Sequence, residues 1–112
     1  MQSHKIFKRS ASQIKDLIPH RGGCMATDKI TIDGLPVKFM YRQELDYEHD
    51  TGWIFLSSTE TQGYLDDHTN TMIYEVNTIA DYDPAIIPYL NLPVGTDLER
   101  VDGTDRFIDY SG

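Results

Sequence analysis

One dipeptide constrains this chain more than any other feature. Asp33-Gly34 lies between two strand-like runs, and a two-residue hairpin turn needs positive φ at both central positions, which Asp-Gly tolerates. The run before it, Cys24 to Ile32, follows Gly22-Gly23, a pair that breaks the chain. The run after it starts at Pro36, whose missing N–H is acceptable at a strand's first residue. Val37, Phe39 and Tyr41 then alternate with Lys38, Met40 and Arg42, the period of a half-buried strand. The pattern predicts a β-hairpin across this dipeptide, with Val37, Phe39 and Tyr41 sharing one face.

The remaining punctuation divides the chain into equally short pieces. Ser10 and Gln13 match a capping box ahead of Ile14, Leu17 and Ile18, and Pro19 ends the helix they predict. Gly52 precedes the apolar strand Trp53-Ile54-Phe55-Leu56. Ser57 and Glu60 form a second capping box, opening a helix that carries Tyr64 and Leu65, which Gly63 weakens by ~1 kcal/mol relative to Ala. A strand is expected from Met72 to Val76. Asp83-Pro84 reads as an N-cap followed by Pro at the first helical position, and Pro88 limits that helix to a turn or two. Pro93-Val94-Gly95 turns the chain, and Asp102-Gly103 joins two final short strands.

Strands outnumber helices in this reading, and hairpins dominate the connections. The expected fold is α+β: an antiparallel sheet of about five strands with two or three short helices packed on it. With 112 residues, no repeat and no linker-like tract, the chain reads as a single domain over 1–112. Residues 1–21 would be a basic lead-in with a short helix, and residues 1–9 are expected to be poorly ordered. Seven Tyr, four Phe and one Trp supply apolar area for a real core.

Charge is partitioned along the chain. Residues 1–42 hold eight basic and three acidic side chains, a net of +5, whereas residues 43–112 hold two and fifteen, a net of −13. A body this acidic repels phosphates, so nucleic acid is excluded as its expected partner and a basic protein is favoured. No apolar run approaches the ~20 residues of a membrane span, and no membrane partner is expected. Met1 to Arg9 lacks the apolar stretch of a secretory signal. With Cys24 as the single cysteine no internal disulfide can form, and a cytoplasmic location is expected.

Chemical motifs are sparse. Cys24 and His20 lie four apart, the residue types of a thiolate nucleophile and its base, but Pro19, Gly22 and Gly23 deny them a common helix. Cys24 reads as a small buried apolar residue with a structural role. Asp46, Glu48 and Asp50 resemble the opening of a calcium loop, yet Thr51 and Ser57 stand where its Gly and bidentate Glu belong. His4, His20, His49 and His68 show no zinc spacing, and no phosphate-binding Gly-rich loop or nucleophile elbow is present. No catalytic residue, metal or cofactor is assigned, and the expected protein is not an enzyme. Trp53, among Ile54, Phe55 and Leu56, reads as structural core. Tyr47 with Glu48 and Asp50, and Tyr64 with Asp66 and Asp67, pair an aromatic anchor with steering charge, the make-up of a protein-binding rim.

Several segments in register carry a resemblance. Gly23-Cys24-Met25-Ala26-Thr27-Asp28-Lys29-Ile30 is similar to the opening of the DUF2185 family, also called the Imm33 immunity-protein domain. Gly34-Leu35-Pro36-Val37 with Met40-Tyr41-Arg42, Gly52-Trp53-Ile54-Phe55, Tyr64-Leu65-Asp66-Asp67 and Asn77-Thr78-Ile79-Ala80 resemble its later blocks. So do Asp83-Pro84 through Leu90 and Pro93-Val94-Gly95 to Glu99-Arg100, and the likeness spans residues 22–107. Leu98 departs from it, standing where an aromatic is expected before Glu-Arg. The resemblance implies a small cytoplasmic protein of a bacterial polymorphic-toxin system that binds and neutralises a cognate toxin. It transfers no catalytic residues. The acidic body suits a basic toxin independently, because opposite fields speed encounter. The alternative is a non-catalytic accessory domain that binds a small molecule or regulates, which needs a concave apolar pocket with a few polar groups.

Overall fold

The computed structural model describes residues 5–110. Six strands form one open sheet: β1 (Gly23–Thr27), β2 (Phe39–Arg42), β3 (Asp50–Leu56), β4 (Thr71–Glu75), β5 (Asp97–Arg100) and β6 (Phe107–Asp109), in the order β4-β1-β3-β2-β5-β6. Four of the five pairings are antiparallel and β1–β3 is parallel. Three short helices, α1 (Asp28–Thr31), α2 (Gln62–Asp66) and α3 (Val76–Tyr82), join 3₁₀ turns at Ala11–Gln13, His68–Asn70 and Pro84–Tyr89. The fold is α+β, as expected, with one strand more than the expected five and a parallel pair that hairpins cannot supply.

That parallel pair corrects the hairpin expectation. Gly34 does have positive φ (75°), but it closes a helix instead of reversing a strand. Its N–H donates to the Ile30 carbonyl at 3.1 Å, and Leu35 N–H donates to Lys29 at 3.0 Å, satisfying carbonyls left open at the end of α1. The same left-handed glycine serves a helix C-terminus or a hairpin, and here burial of Ile30 and Thr31 beneath α3 selects the helix. β1 therefore leaves β2 and finds β3 and β4, both distant in sequence.

The helices α1 and α3 and the turn Pro84–Tyr89 cover one face of the sheet. Cys24, Ala26, Met40, Trp53, Phe55 and Leu98 point into this layer and meet Ile30, Val76, Ile79, Ile86 and Leu90. Met40, not Phe39 or Tyr41, is the fully buried residue of β2. Val37 is buried as well but precedes the strand, so its parity with Phe39 is broken. Trp53 is 1% exposed, lies 6.1 Å from the Phe55 ring and donates Nε1–H to the Leu90 carbonyl at 3.1 Å. Asp83 ties the layer together: it caps the 3₁₀ turn through Ala85 N–H, accepts Val37 N–H at 2.9 Å and takes both terminal nitrogens of Arg100 at 2.9 and 3.0 Å.

The basic lead-in is tied down over residues 5–21, and residues 1–4 lie outside the described residues. Lys8 N–H donates to the Thr31 carbonyl at 2.7 Å, and Arg9 Nε pairs with Asp81 at 2.5 Å. The buried Asn77 accepts from Leu17 and Ile18 N–H and donates to the Lys15 carbonyl. The Ser10–Gln13 capping box forms, but only one 3₁₀ turn follows it. Asn77 competes for the backbone that a longer helix would need, and wins.

Candidate interaction surface

Strand alternation dictates what the second sheet face carries. Met25 pairs with Ile73, Tyr41 with Ile54, Phe39 with Leu56, and Glu99 with both Phe39 and Ile108, so all of these share the face turned away from α1 and α3. Ile73 and Ile108 are 57% and 51% exposed there. Two hollows open on it. One, of about 700 Å³, is walled by Met25, Ile54, Leu56 and Ile73 with Leu65 of α2 and His68 at its side. The other, of about 310 Å³, shares Tyr41 and Leu56 with the first and reaches Phe39, Asp97 and Tyr110. Tyr110 meets Phe39 edge-on at 5.5 Å.

The acidic segments border this face. A Cβ at Gly23 would overlap the Tyr47 hydroxyl and touch Ile73, which seats Tyr47 at the edge of the larger hollow. Burial pushes the Tyr47 phenol up from its ordinary value, and Asp50 adds to the shift. Glu48 is exposed beside it. Asp50 is buried and turned inward: its carboxylate accepts Asp46 N–H and Gly52 N–H, each at 2.9 Å, and so shapes the loop. At the other end Asp66 is exposed and accepts from Gln62 at 2.8 Å. Asp67 caps the 3₁₀ turn, and the Thr69 hydroxyl and N–H hold its carboxyl below the usual carboxylate range. Tyr64 turns toward α1, with Lys29 Nζ 5.1 Å from its ring centre, while its neighbour Leu65 faces the hollow.

The two acidic stretches singled out in the sequence thus flank one sheet face, with Tyr64 and Asp50 committed to local contacts. The apolar residues between them were not singled out as a site. Their signal is in Trp53-Ile54-Phe55-Leu56: a strand with one wet face alternates, and this one is apolar on both. The helix expected from Ser57 starts later, at Thr61, whose side chain accepts Tyr64 N–H. Ser57 and Glu60 do bond each other, but Glu60 also takes the Thr27 hydroxyl at 2.5 Å, holding these residues in a turn against β1.

The geometry separates the residues weighed for thiol chemistry. Cys24 is fully buried beneath the helices, and burial drives its thiol well up, with the carboxylates of Glu75 and Asp50 adding to the effect. His20 has a side chain 71% exposed and sits 3.7 Å from Asp16. A buried, protonated thiol is the opposite of an activated nucleophile. Among the described residues no group of three His, Cys, Asp or Glu is placed to hold a metal ion, and no helix is long and apolar enough to cross a membrane.

A small α+β domain with one packed and one open sheet face is a scaffold for presenting a surface. Its sequence matches the family model of the Imm33 immunity protein domain over residues 24–111, and the chain belongs to that family. Immunity proteins of this kind are typically non-catalytic and imply a protein partner. No curated protein matches the chain. No solved structure matches it either.

Proposed function

We propose that this chain is an immunity protein that acts in the cytoplasm by binding and neutralising a cognate toxin with a basic surface. Membership of the Imm33 family over residues 24–111 carries this reading. The net charge of −13 beyond residue 43 supports it, because an acidic binder attracts a cationic enzyme surface at long range. Tyr47 and Glu48 of the first acidic loop, with Asp50 shaping that loop, form one contact region. Tyr64, Asp66 and Asp67 form the second. The test is co-expression of the chain with any toxin domain that a neighbouring gene encodes. Restored growth and a complex whose association slows as salt rises are expected; unrelieved toxicity with no complex contradicts the reading.

A second reading keeps the same face as the site of a small apolar ligand. The hollow of about 700 Å³, apolar apart from Tyr41, His68 and Thr71, has the size and lining such a site needs. A screen of apolar ligands by thermal shift separates the two, since only this reading expects saturable stabilisation without a protein partner.

A further inference from the structure

The apolar residues of the open face run from Ile73 on β4 through Met25, Ile54 and Leu56 to Phe39 and Tyr41 on β2; β5 then places Asp97 and Glu99 on this face, with Ile108 of β6 beyond them. Four strands give three spacings of about 4.8 Å, so the apolar strip is about 14 Å wide. An exposed apolar patch with a polar rim marks a docking surface.

The rim states what kind of surface fits. Asp97 stands opposite Tyr41 in the β2–β5 register, close enough to help raise the Tyr41 phenol after burial itself. Asp66 and Asp67 stand beside Leu65 and His68, and Glu48 follows Tyr47 at the Gly23 edge. Lys38, whose ammonium lies 3.4 Å from Glu99 on this face, is also held by Asp102 at 2.5 Å. The open face is therefore apolar from β4 to β2 and negative along β5 and in the flanking loops. A second copy of the chain would bring the same negative rim against itself, which like-charge repulsion disfavours.

Resting on the immunity reading, we infer that the open sheet face is the docking surface for the toxin, which presents an apolar ridge flanked by Lys or Arg. The apolar strip supplies the contact that sets the dissociation rate, and the acidic loops supply steering. The hollows receive the ridge's side chains, and Tyr47 and Leu65 bound them.

The test uses the full chain and a toxin domain that a neighbouring gene encodes. Ile73→Lys and Ile108→Lys place cations on the open face at exposed positions, and Val94→Lys is the control on an exposed apolar residue in the loop after the 3₁₀ turn. Both open-face variants are expected to weaken binding at least tenfold, mainly through faster dissociation, with Val94→Lys within twofold of wild type. Thermal unfolding of each variant, with Ile73→Ala as a milder change, separates lost contact from lost fold. If the wild type binds and both open-face variants bind within twofold, the docking surface lies elsewhere and the inference fails while the immunity reading stands. If the wild type instead forms a dimer that Ile73→Lys dissociates, the occupant is a second copy and the inference fails. If the wild type neither binds nor protects, the immunity reading fails and takes the inference with it.

Discussion

The two faces of this sheet are built from the same strands and do opposite things. On one, Trp53, Phe55 and Met40 are sealed beneath helices, each polar edge finding a partner: the indole N–H on Leu90, the Arg42 guanidinium 5.7 Å from the Trp53 ring. On the other, Ile73 and Ile108 stay largely in water although they are one residue away from core positions. The difference is coverage alone. Helix α2 reaches the open face only through Leu65 at its margin, whereas α1, α3 and the 3₁₀ turn close the other side. Stability therefore resides on the covered face, and the open face is free to change with the partner.

The sharpest way to break this comparison is to truncate one residue on each face. Trp53→Ala should cost about 3–5 kcal/mol, as buried aromatic truncations do, and Ile73→Ala about 0.5 kcal/mol or less, as exposed substitutions do. Urea unfolding of both variants measures this; equal costs would show that the open face is also core.

Next in size is the tie that holds the covered layer together. The Asp83 and Arg100 side chains are 13% and 11% exposed, so Asp83→Asn leaves a nearly buried guanidinium with only the exposed Asp105, 3.6 Å away, as counter-charge. A loss of about 3 kcal/mol is expected. The variant should keep any partner binding once folded, because this pair lies on the helix side. Unchanged stability would remove Asp83 as the tie.

The smallest effect is a pH dependence. Burial raises the Cys24 thiol above its unfolded value, so the unfolded chain loses this proton first as pH rises. Stability should fall by up to about 1.4 kcal/mol per pH unit above pH ~8.5 from this group, and Cys24→Ala should remove that slope. Native-state thiol labelling should track unfolding. Rapid labelling at neutral pH would show an accessible, activated thiol.

Local signals in the sequence were legible where the decision is local. Asp83-Pro84 caps a short 3₁₀ segment, the Met72 strand appears as Thr71–Glu75, and Asp102-Gly103 lies in the connection between β5 and β6. The failures share one cause. Asp33-Gly34 supports two structures, and the choice is made by contacts of Ile30 and Thr31 that are remote in sequence. The same holds for β1, whose neighbours are β3 and β4, and for the helix after Ser10, which Asn77 cuts short. Of the candidate surface, the acidic and aromatic residues were visible from composition. The strip between them was hidden because Phe39 and Tyr41 were expected to share a face with Val37, and the break in parity before β2 cannot be read from alternation.

Backbone amide exchange with and without a toxin that the chain neutralises in co-expression tests the central claim most directly, since it maps contact without altering a residue. The outer strands β4 and β6 and helix α2 border the open face, and residues 76–90 lie on the covered one. Exchange should slow over 62–66, 71–75 and 107–110 in the complex and stay unchanged over 76–90. Protection confined to 76–90, with the outer strands exchanging as in the free chain, would contradict the account.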